Sequence, residues 1–308
     1  IRYMPLFLGP LLIFSVFFFM REASNNLSTS IFAMLFTAFS FPVIVGMYGA
    51  LLSNWLALSE VFIFSGLLLR FIQRKSIRFF LLAISTLLLL LFTHVYTWAM
   101  LMVVLFTYLI LLFIRWLHKG RSPSDFKIIM MIMCIIGISL VVDFLRNIAL
   151  GSFGLATETL KISYGNFSLS FAARCWDVTV STLKYEMAGF YGNPIAFFLA
   201  LMGSFITVLG DIPLNLYLTS WLIASSFPFV FGNRIMQPRI LYNLPINVFE
   251  AFAVIYIIKF AKQTQGNSSS RILCLLLIAI VILMNINYGF RCMFTLSQIE
   301  FHKTSWEG

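Results

Sequence analysis

Long apolar runs alternate with short polar or charged breaks along almost the whole chain. Each run is about 15 to 20 residues long, close to the length a helix needs to cross the hydrocarbon core of a bilayer. Predicted spans lie at 3–20, 27–41, 54–69, two within 79–114, 128–142, 195–209, 214–231, 244–260 and 272–288. The pattern therefore predicts an all-α fold, a polytopic transmembrane helical bundle of about ten spans.

The hydropathy falls after residue 146 and rises again at residue 194, which divides the chain into parts. Residues 1–146 form an N-terminal membrane region of six spans, and residues 194–290 form a C-terminal membrane region of four spans. Between them, residues 147–193 are predicted to be an extracytoplasmic segment of about 45 residues, whose many aromatic side chains suit the membrane interface. Residues 291–308 are predicted to be an outer tail.

Basic residues occur in the breaks, and these breaks set the predicted orientation. They follow the third, fifth and ninth spans, as Arg70, Arg74, Lys75, Arg78, Arg115, His118, Lys119, Arg121, Lys259 and Lys262. Loops rich in lysine and arginine stay in the cytoplasm, so the intervening turns at 93–98 and 233–245 are predicted to face outside. The net charge of +10 belongs to these loops. We therefore expect membrane lipids as partners, and no nucleic acid.

Composition supports an integral membrane protein. Of the 308 residues 61% are hydrophobic and only 10% are charged, with a mean hydropathy of +0.97. No soluble domain buries that much apolar surface, so we predict a multi-pass protein of the plasma membrane. The four cysteines and three histidines are scattered without the spacing of metal ligands, and no metal site is predicted.

Two polar positions inside the apolar runs are candidates for a functional site. Glu60 lies in the third predicted span, where a carboxylate must face protein or water, either paired with a basic residue or serving a function. His94 lies between Thr93 and the pair Tyr96 and Thr97, at the turn within 79–114. This histidine is either a hydrogen-bonded structural residue or part of a cavity wall.

The stretch 233–245 places Arg234 and Arg239 between two apolar runs. Long arginine side chains at helix ends often extend to the interface without further function. Guanidinium groups also match the oxygens of a phosphate and stay charged, so a phosphate clamp is the functional alternative.

Four stretches together resemble the GT-C superfamily of polyprenyl-phosphate-dependent membrane glycosyltransferases, particularly its archaeal members. They are 53–58, 91–98, 189–194 and 233–245, and the resemblance covers about two thirds of the chain. The resemblance implies a sugar donor linked to polyprenyl phosphate and transfer on the extracytoplasmic face. It also implies that Arg239, with Arg234, binds the donor phosphate. The candidates for lining the same cavity are His94, Tyr96, Glu60, Asn54 and Tyr242.

The chain departs from that family at one place. Family members carry a catalytic acidic residue in the first outer loop, and no Asp or Glu has that placement here, since Glu22 falls on the predicted cytoplasmic side. The sequence opens at Ile1 without an initiator methionine, and we expect it to be an internal fragment. We then expect glycosyltransferase activity only from a longer protein that includes the missing N-terminal part. A divalent cation is expected as a cofactor only for that catalytic form. The alternative is a non-catalytic membrane subunit or lipid-binding scaffold that packs against other membrane protein subunits.

Overall fold

The computed structural model describes residues 3–40, 43, 52–118, 122–150, 173, 175–177, 179–180, 193–231, 244–263 and 268–304. These residues form α1 (Met4–Ser24), α2 (Leu27–Ala38), α3 (Leu52–Arg74), α4 (Ile77–Thr93), α5 (Val95–His118), α6 (Pro123–Leu150), α7 (Pro194–Val208), α8 (Pro213–Phe231), α9 (Ile246–Gln263) and α10 (Ser268–Thr304). No strand occurs among them. The predicted all-α class is confirmed, and each predicted span coincides with one of these helices.

Five helices in the described part of the chain are long and apolar enough to cross a membrane. They are α1, α3, α5, residues Asp125–Leu150 of α6 and residues Ile272–Phe294 of α10. Three further apolar helices, α2, α4 and α7, are shorter. α2 has 12 residues and is therefore only about 18 Å long, well below the thickness of a hydrocarbon core. The helices thus indicate a membrane protein, and the count of ten spans stays a prediction.

Residues with local turn chemistry end the first helices abruptly. Asn25 and Lys75 each adopt a left-handed conformation with φ of 53°, which terminates α1 and α3. The Asn26 side chain then accepts hydrogen bonds from the amides of Ser28 and Thr29 and caps α2. Because only two residues separate α1 from α2 and α3 from α4, each pair forms an antiparallel hairpin.

α3 is the central helix of the bundle. Of the residues in its apolar, membrane-length stretch, 83% are buried inside the protein, against 17% in the corresponding stretch of α10. It packs against α1, α4, α5 and α8. The rings of Phe19 and Phe62 lie 5.8 Å apart, and Arg70 forms an ion pair with Glu22 at 2.5 Å. The Trp55 ring near the start of α3 lies beside Gly9 of α1, so the early residues of the two helices meet as the late ones do, and the helices run parallel.

The second half of the chain packs onto this centre through α8 and α9. α8 runs antiparallel to α5: the ring centroids of Tyr108 and Tyr217 are 5.2 Å apart, and the hydroxyl of Tyr217 lies 2.7 Å from Oγ of Ser65. α9 packs against α7 and α2. The contact with α7 is close at Gly203, where an added Cβ would overlap the carbonyl group of Phe249.

Arg70, Arg74, Arg115 and His118 lie at one end of the bundle, called here the basic end, whereas Arg146 and Arg291 lie toward the other end. α3 ends there at Arg74 and α5 ends there at His118, and Arg115 pairs there with Asp211 at 3.5 Å. The opposite end, called the His94 end, holds the beginnings of α3 and α5. The outer position of the His94 end, which follows from the rule that positively charged loops face the cytoplasm, stays a prediction.

α10 extends beyond its predicted span. The sequence placed the end of the last span at residue 288 and an outer tail from residue 291, whereas the helix continues without a break to Thr304. The extracytoplasmic segment predicted at 147–193 lies mostly outside the described residues, as does the whole of 233–243.

Candidate functional site

The His94 turn joins α4 to α5 with a single residue. His94 adopts an extended conformation, with φ of −158° and ψ of 94°, and its amide donates to the carbonyl of Leu90 at the end of α4. Its Nδ1 accepts a hydrogen bond from the amide of Thr97 at 3.2 Å, which caps the first turn of α5. The side chain therefore orders the turn, as the structural alternative predicted.

Thr97 connects this histidine to α3. Its hydroxyl lies 2.9 Å from His94 Nδ1 and donates to Oδ1 of Asn54 at 3.3 Å. Tyr96, which is buried, places its ring edge against the imidazole, with the centroids 6.1 Å apart. Of the predicted cavity-lining residues, the structure thus brings together His94, Asn54 and Tyr96.

Glu60 lies on another face of α3 and is only 4% exposed. Its Oε1 accepts a hydrogen bond from the Thr93 hydroxyl at 2.9 Å. Its Oε2 has no hydrogen-bond partner among the described residues, and no basic side chain in that part of the chain forms an ion pair with it. Within the described part of the chain, Glu60 therefore takes the hydroxyl group of the residue before His94, and not a cation, as its partner.

An apolar cleft begins at Thr97 and runs between α3, α5 and α8. It is partly open to the surroundings, and the space inside it that a water-sized group can occupy is about 20 Å³. Its lining consists of Leu58, Val61, Thr97, Met100, Leu101, Val104, Trp221 and Ser225. Thr97 is the lining residue that also belongs to the His94 turn, so the cleft has a polar end at the His94 end of the bundle and apolar walls toward its middle. The cleft is therefore a narrow groove whose walls are mainly apolar.

The pair Asp143 and Arg146 is explained by its own helix. Nη2 of Arg146 donates to Oδ1 of Asp143 at 2.7 Å. The side-chain amide of Asn147, through Nδ2, donates to the other carboxylate oxygen, Oδ2, at 3.2 Å. The two residues lie three positions apart on one helix face, which allows them to pair.

A second buried polar group was not predicted from the sequence. Glu250 on α9 is 2% exposed and accepts a hydrogen bond from Asn285 of α10 at 2.7 Å. Asn193, the cap of α7, donates in turn to Oδ1 of Asn285 at 2.9 Å. The amide of Asn247, one turn before Glu250, donates to the hydroxyl of Thr37 at the end of α2. These residues connect four helices, and the signal for them was polar side chains inside apolar runs.

Arg234, Arg239 and Tyr242 lie outside the described residues. The described ends on either side of them are the end of α8 at Phe231 and Leu244 before α9. Because α8 runs antiparallel to α5, its last turn lies toward the His94 end. The role of the two arginines and of Tyr242 stays a prediction.

No protein-family model matches the sequence, and no curated protein is significantly similar to it.

Proposed function

We propose that this protein is a membrane-embedded, glycosyltransferase-like protein that binds a polyprenyl-phosphate-linked sugar donor, with transfer on the extracytoplasmic face. The observation that supports the proposal is the cleft between α3, α5 and α8, which is apolar along its walls and polar at Thr97. An isoprenoid chain would lie along Leu58, Val61 and Val104. The phosphate would then lie at the His94 end, where His94 and Asn54 already form a hydrogen-bonded group.

The chain segment predicted to bind the phosphate leaves α8 close to this position. A negatively charged phosphate beside Thr97 needs cations, and Arg239 with Arg234 is the pair proposed to supply them. Placing charge at the membrane surface and not within the hydrocarbon also avoids the cost of burying it.

A second function has its own supporting observation. None of the described residues that line the cleft carries a carboxyl group, and Glu60 points away from it toward Thr93. A chain that binds the lipid without a general base would be a non-catalytic subunit or lipid-binding scaffold within a complex of membrane proteins.

Ligand binding tests both functions at their shared step. The full chain, reconstituted in vesicles, would be titrated with polyprenyl phosphate and, separately, with the uncharged polyprenol. We expect saturable binding that is tighter for the phosphate. Val104→Phe, which fills the cleft, should weaken binding of both lipids, and Val103→Phe, one residue along α5 and outside the lining, should not. Equal binding by both variants would contradict the proposed position of the lipid.

The phosphate clamp has a separate test. Arg239→Ala should weaken binding of polyprenyl phosphate while leaving that of polyprenol unchanged. Unchanged binding of the phosphate would refute the clamp. Sugar transfer from a polyprenyl-phosphate sugar to an acceptor then distinguishes the enzyme from the scaffold, because only the enzyme turns over.

A further inference from the structure

The turn between α3 and α4 carries three cations on its surface. Arg74, Lys75 and Arg78 are close together in the sequence, and all three are exposed. None of them forms an ion pair with another described residue. These three residues, called here the basic hairpin, therefore present positive charge that the described part of the chain does not neutralise.

Glu22 of α1 lies beside the basic hairpin, but its charge is already neutralised. It pairs with Arg70, one turn before Arg74, at 2.5 Å. Nε2 of Gln73 also donates to the carbonyl of Ala23 at 3.0 Å, which holds the end of α3 against the end of α1. The turn is thus fixed to the bundle, while its three cations remain available to an external anion.

The start of α4 adds hydrogen-bond donors to the same surface. Ser76 is the N-cap residue of α4, and its side chain makes no capping hydrogen bond. The backbone N–H groups of Ile77 and Arg78 donate to no acceptor among the described residues. Free N–H groups at the positive end of a helix dipole favour an anion. Many helices begin in this way, but here the free donors coincide with three cations that lack a counter-ion.

Exposed apolar side chains begin directly next to these polar groups. Ile77 is 58% exposed, and Leu81 and Leu82, one turn further along α4, are 56% and 51% exposed. A ligand bound at Arg78 would therefore meet positive charge at the end of the bundle and apolar side chains along the helix. This combination matches an anion that carries acyl chains better than it matches a soluble anion or an acidic protein segment.

We infer that the basic hairpin binds the phosphate of an anionic phospholipid headgroup, at the end of the bundle opposite to the proposed polyprenyl-phosphate site. The phosphate oxygens would accept from the guanidinium groups of Arg74 and Arg78 and from the free N–H groups of α4. The acyl chains would lie against Ile77 and Leu81. Each cation near a membrane surface raises the affinity for anionic lipid by roughly fivefold.

Native mass spectrometry of the full chain in detergent tests this site. The chain would be titrated with phosphatidylglycerol and, separately, with phosphatidylcholine of the same acyl chains. We expect the first phosphatidylglycerol to bind more tightly than the first phosphatidylcholine. Combined Arg74→Gln, Lys75→Gln and Arg78→Gln should weaken that phosphatidylglycerol by roughly ten- to a hundredfold and leave phosphatidylcholine unchanged. Because all three side chains are exposed, the melting temperature should stay the same.

A control variant removes the same charge elsewhere at the basic end. Arg21 near the end of α1, Lys127 near the start of α6 and Lys262 near the end of α9 are also exposed, and none forms an ion pair with a described residue. Combined replacement of these three by glutamine should leave the first phosphatidylglycerol bound as tightly as before. Equal losses in the two triple variants would indicate diffuse attraction to positive charge and overturn the assignment. Equal affinity of the unmodified chain for the two lipids would also overturn it.

Inorganic phosphate distinguishes the lipid from a soluble anion. Added in excess, it should displace little phosphatidylglycerol, because it has no acyl chains to lie against α4. Complete displacement would overturn the lipid assignment in favour of a soluble anion. Val104→Phe, in the cleft of the proposed polyprenyl-phosphate site, should leave phosphatidylglycerol binding unchanged, so the two sites succeed or fail separately.

Discussion

Thr97 donates its backbone N–H to Nδ1 of His94 at 3.2 Å, and the same residue lines the cleft between α3, α5 and α8. The residue whose backbone N–H receives the cap of α5 is therefore also the polar end of the cleft. The His94 ring is held in place by the backbone of the helix that it begins. A ligand head group at this position would meet a preformed polar surface.

Thr97→Val tests this polar end. Valine keeps the shape of threonine but removes the hydroxyl that contacts Asn54 and His94. If the hydroxyl group binds the ligand head, the loss of one hydrogen bond should weaken polyprenyl phosphate binding by about 1 kcal/mol, roughly fivefold.

Thr107→Val is the matched control for this substitution. It lies on the same helix, and among the described residues its hydroxyl bonds only the carbonyl of Val103, at 2.9 Å. The Thr107→Val variant should bind polyprenyl phosphate as tightly as the unmodified chain does. If both variants bound with unchanged affinity, the head group would have to lie elsewhere.

Glu250 is expected to act as a structural acceptor for Asn285. Glu250→Gln retains an oxygen in the position that accepts the Asn285 amide, so its thermal stability in detergent should stay close to that of the unmodified chain. Glu250→Leu leaves that buried amide without its partner, at a cost of about 1 to 3 kcal/mol. Equal melting temperatures for the two variants would show that this hydrogen bond contributes little.

Gly203 and Gly137 form a matched pair for helix packing. A methyl group at Gly203 would overlap the backbone of Phe249, whereas one at Gly137 meets nothing within 4 Å. Gly203→Ala should therefore push α7 away from α9 and destabilise the fold by about 1 to 3 kcal/mol. Gly137→Ala should stabilise α6 by up to about 1 kcal/mol, because alanine favours helix. Thermal unfolding of both variants measures the difference, and the reverse order would contradict the α7–α9 contact.

Lys75 and Asn25 both have a positive φ of 53°, but the left-handed conformation strains the two residue types to different extents. A side chain with a Cβ is strained in this conformation, and asparagine less so than lysine. Lys75→Gly should therefore raise the free energy of unfolding by about 0.5 to 1 kcal/mol, and Asn25→Gly by less. A stability loss in Lys75→Gly would mean that the lysine side chain makes a contribution larger than its backbone strain.

The sequence predicted the helices well because each depends on its own run of apolar residues. The turn at His94 was also visible, since polar residues interrupt a run too long for one span. Helix ends were less accurate: α10 continues to Thr304 although its residues become polar near the predicted end. Ends of this kind depend on backbone hydrogen bonding, which hydropathy does not record.

Contacts between distant residues could not be predicted from local pattern. Glu250 and Asn285 are 35 positions apart, and Asn193 lies 92 positions from Asn285. Their association depends on which helices become neighbours, and every helix has a similar apolar surface. The cleft could not be predicted from the sequence for the same reason, because it forms only where α8 packs beside α3 and α5.

The most direct test of the account is the position of a bound lipid. A polyprenyl phosphate with a photoreactive group in its isoprenoid chain would be cross-linked to the full chain in vesicles, and the labelled peptides would be identified by mass spectrometry. The account predicts labelling of α3, α5 and α8, at Leu58, Val61, Leu101 or Val104, with loss of labelling in Val104→Phe. Labelling confined to lipid-facing surfaces such as Leu273 of α10, unchanged in that variant, would contradict it.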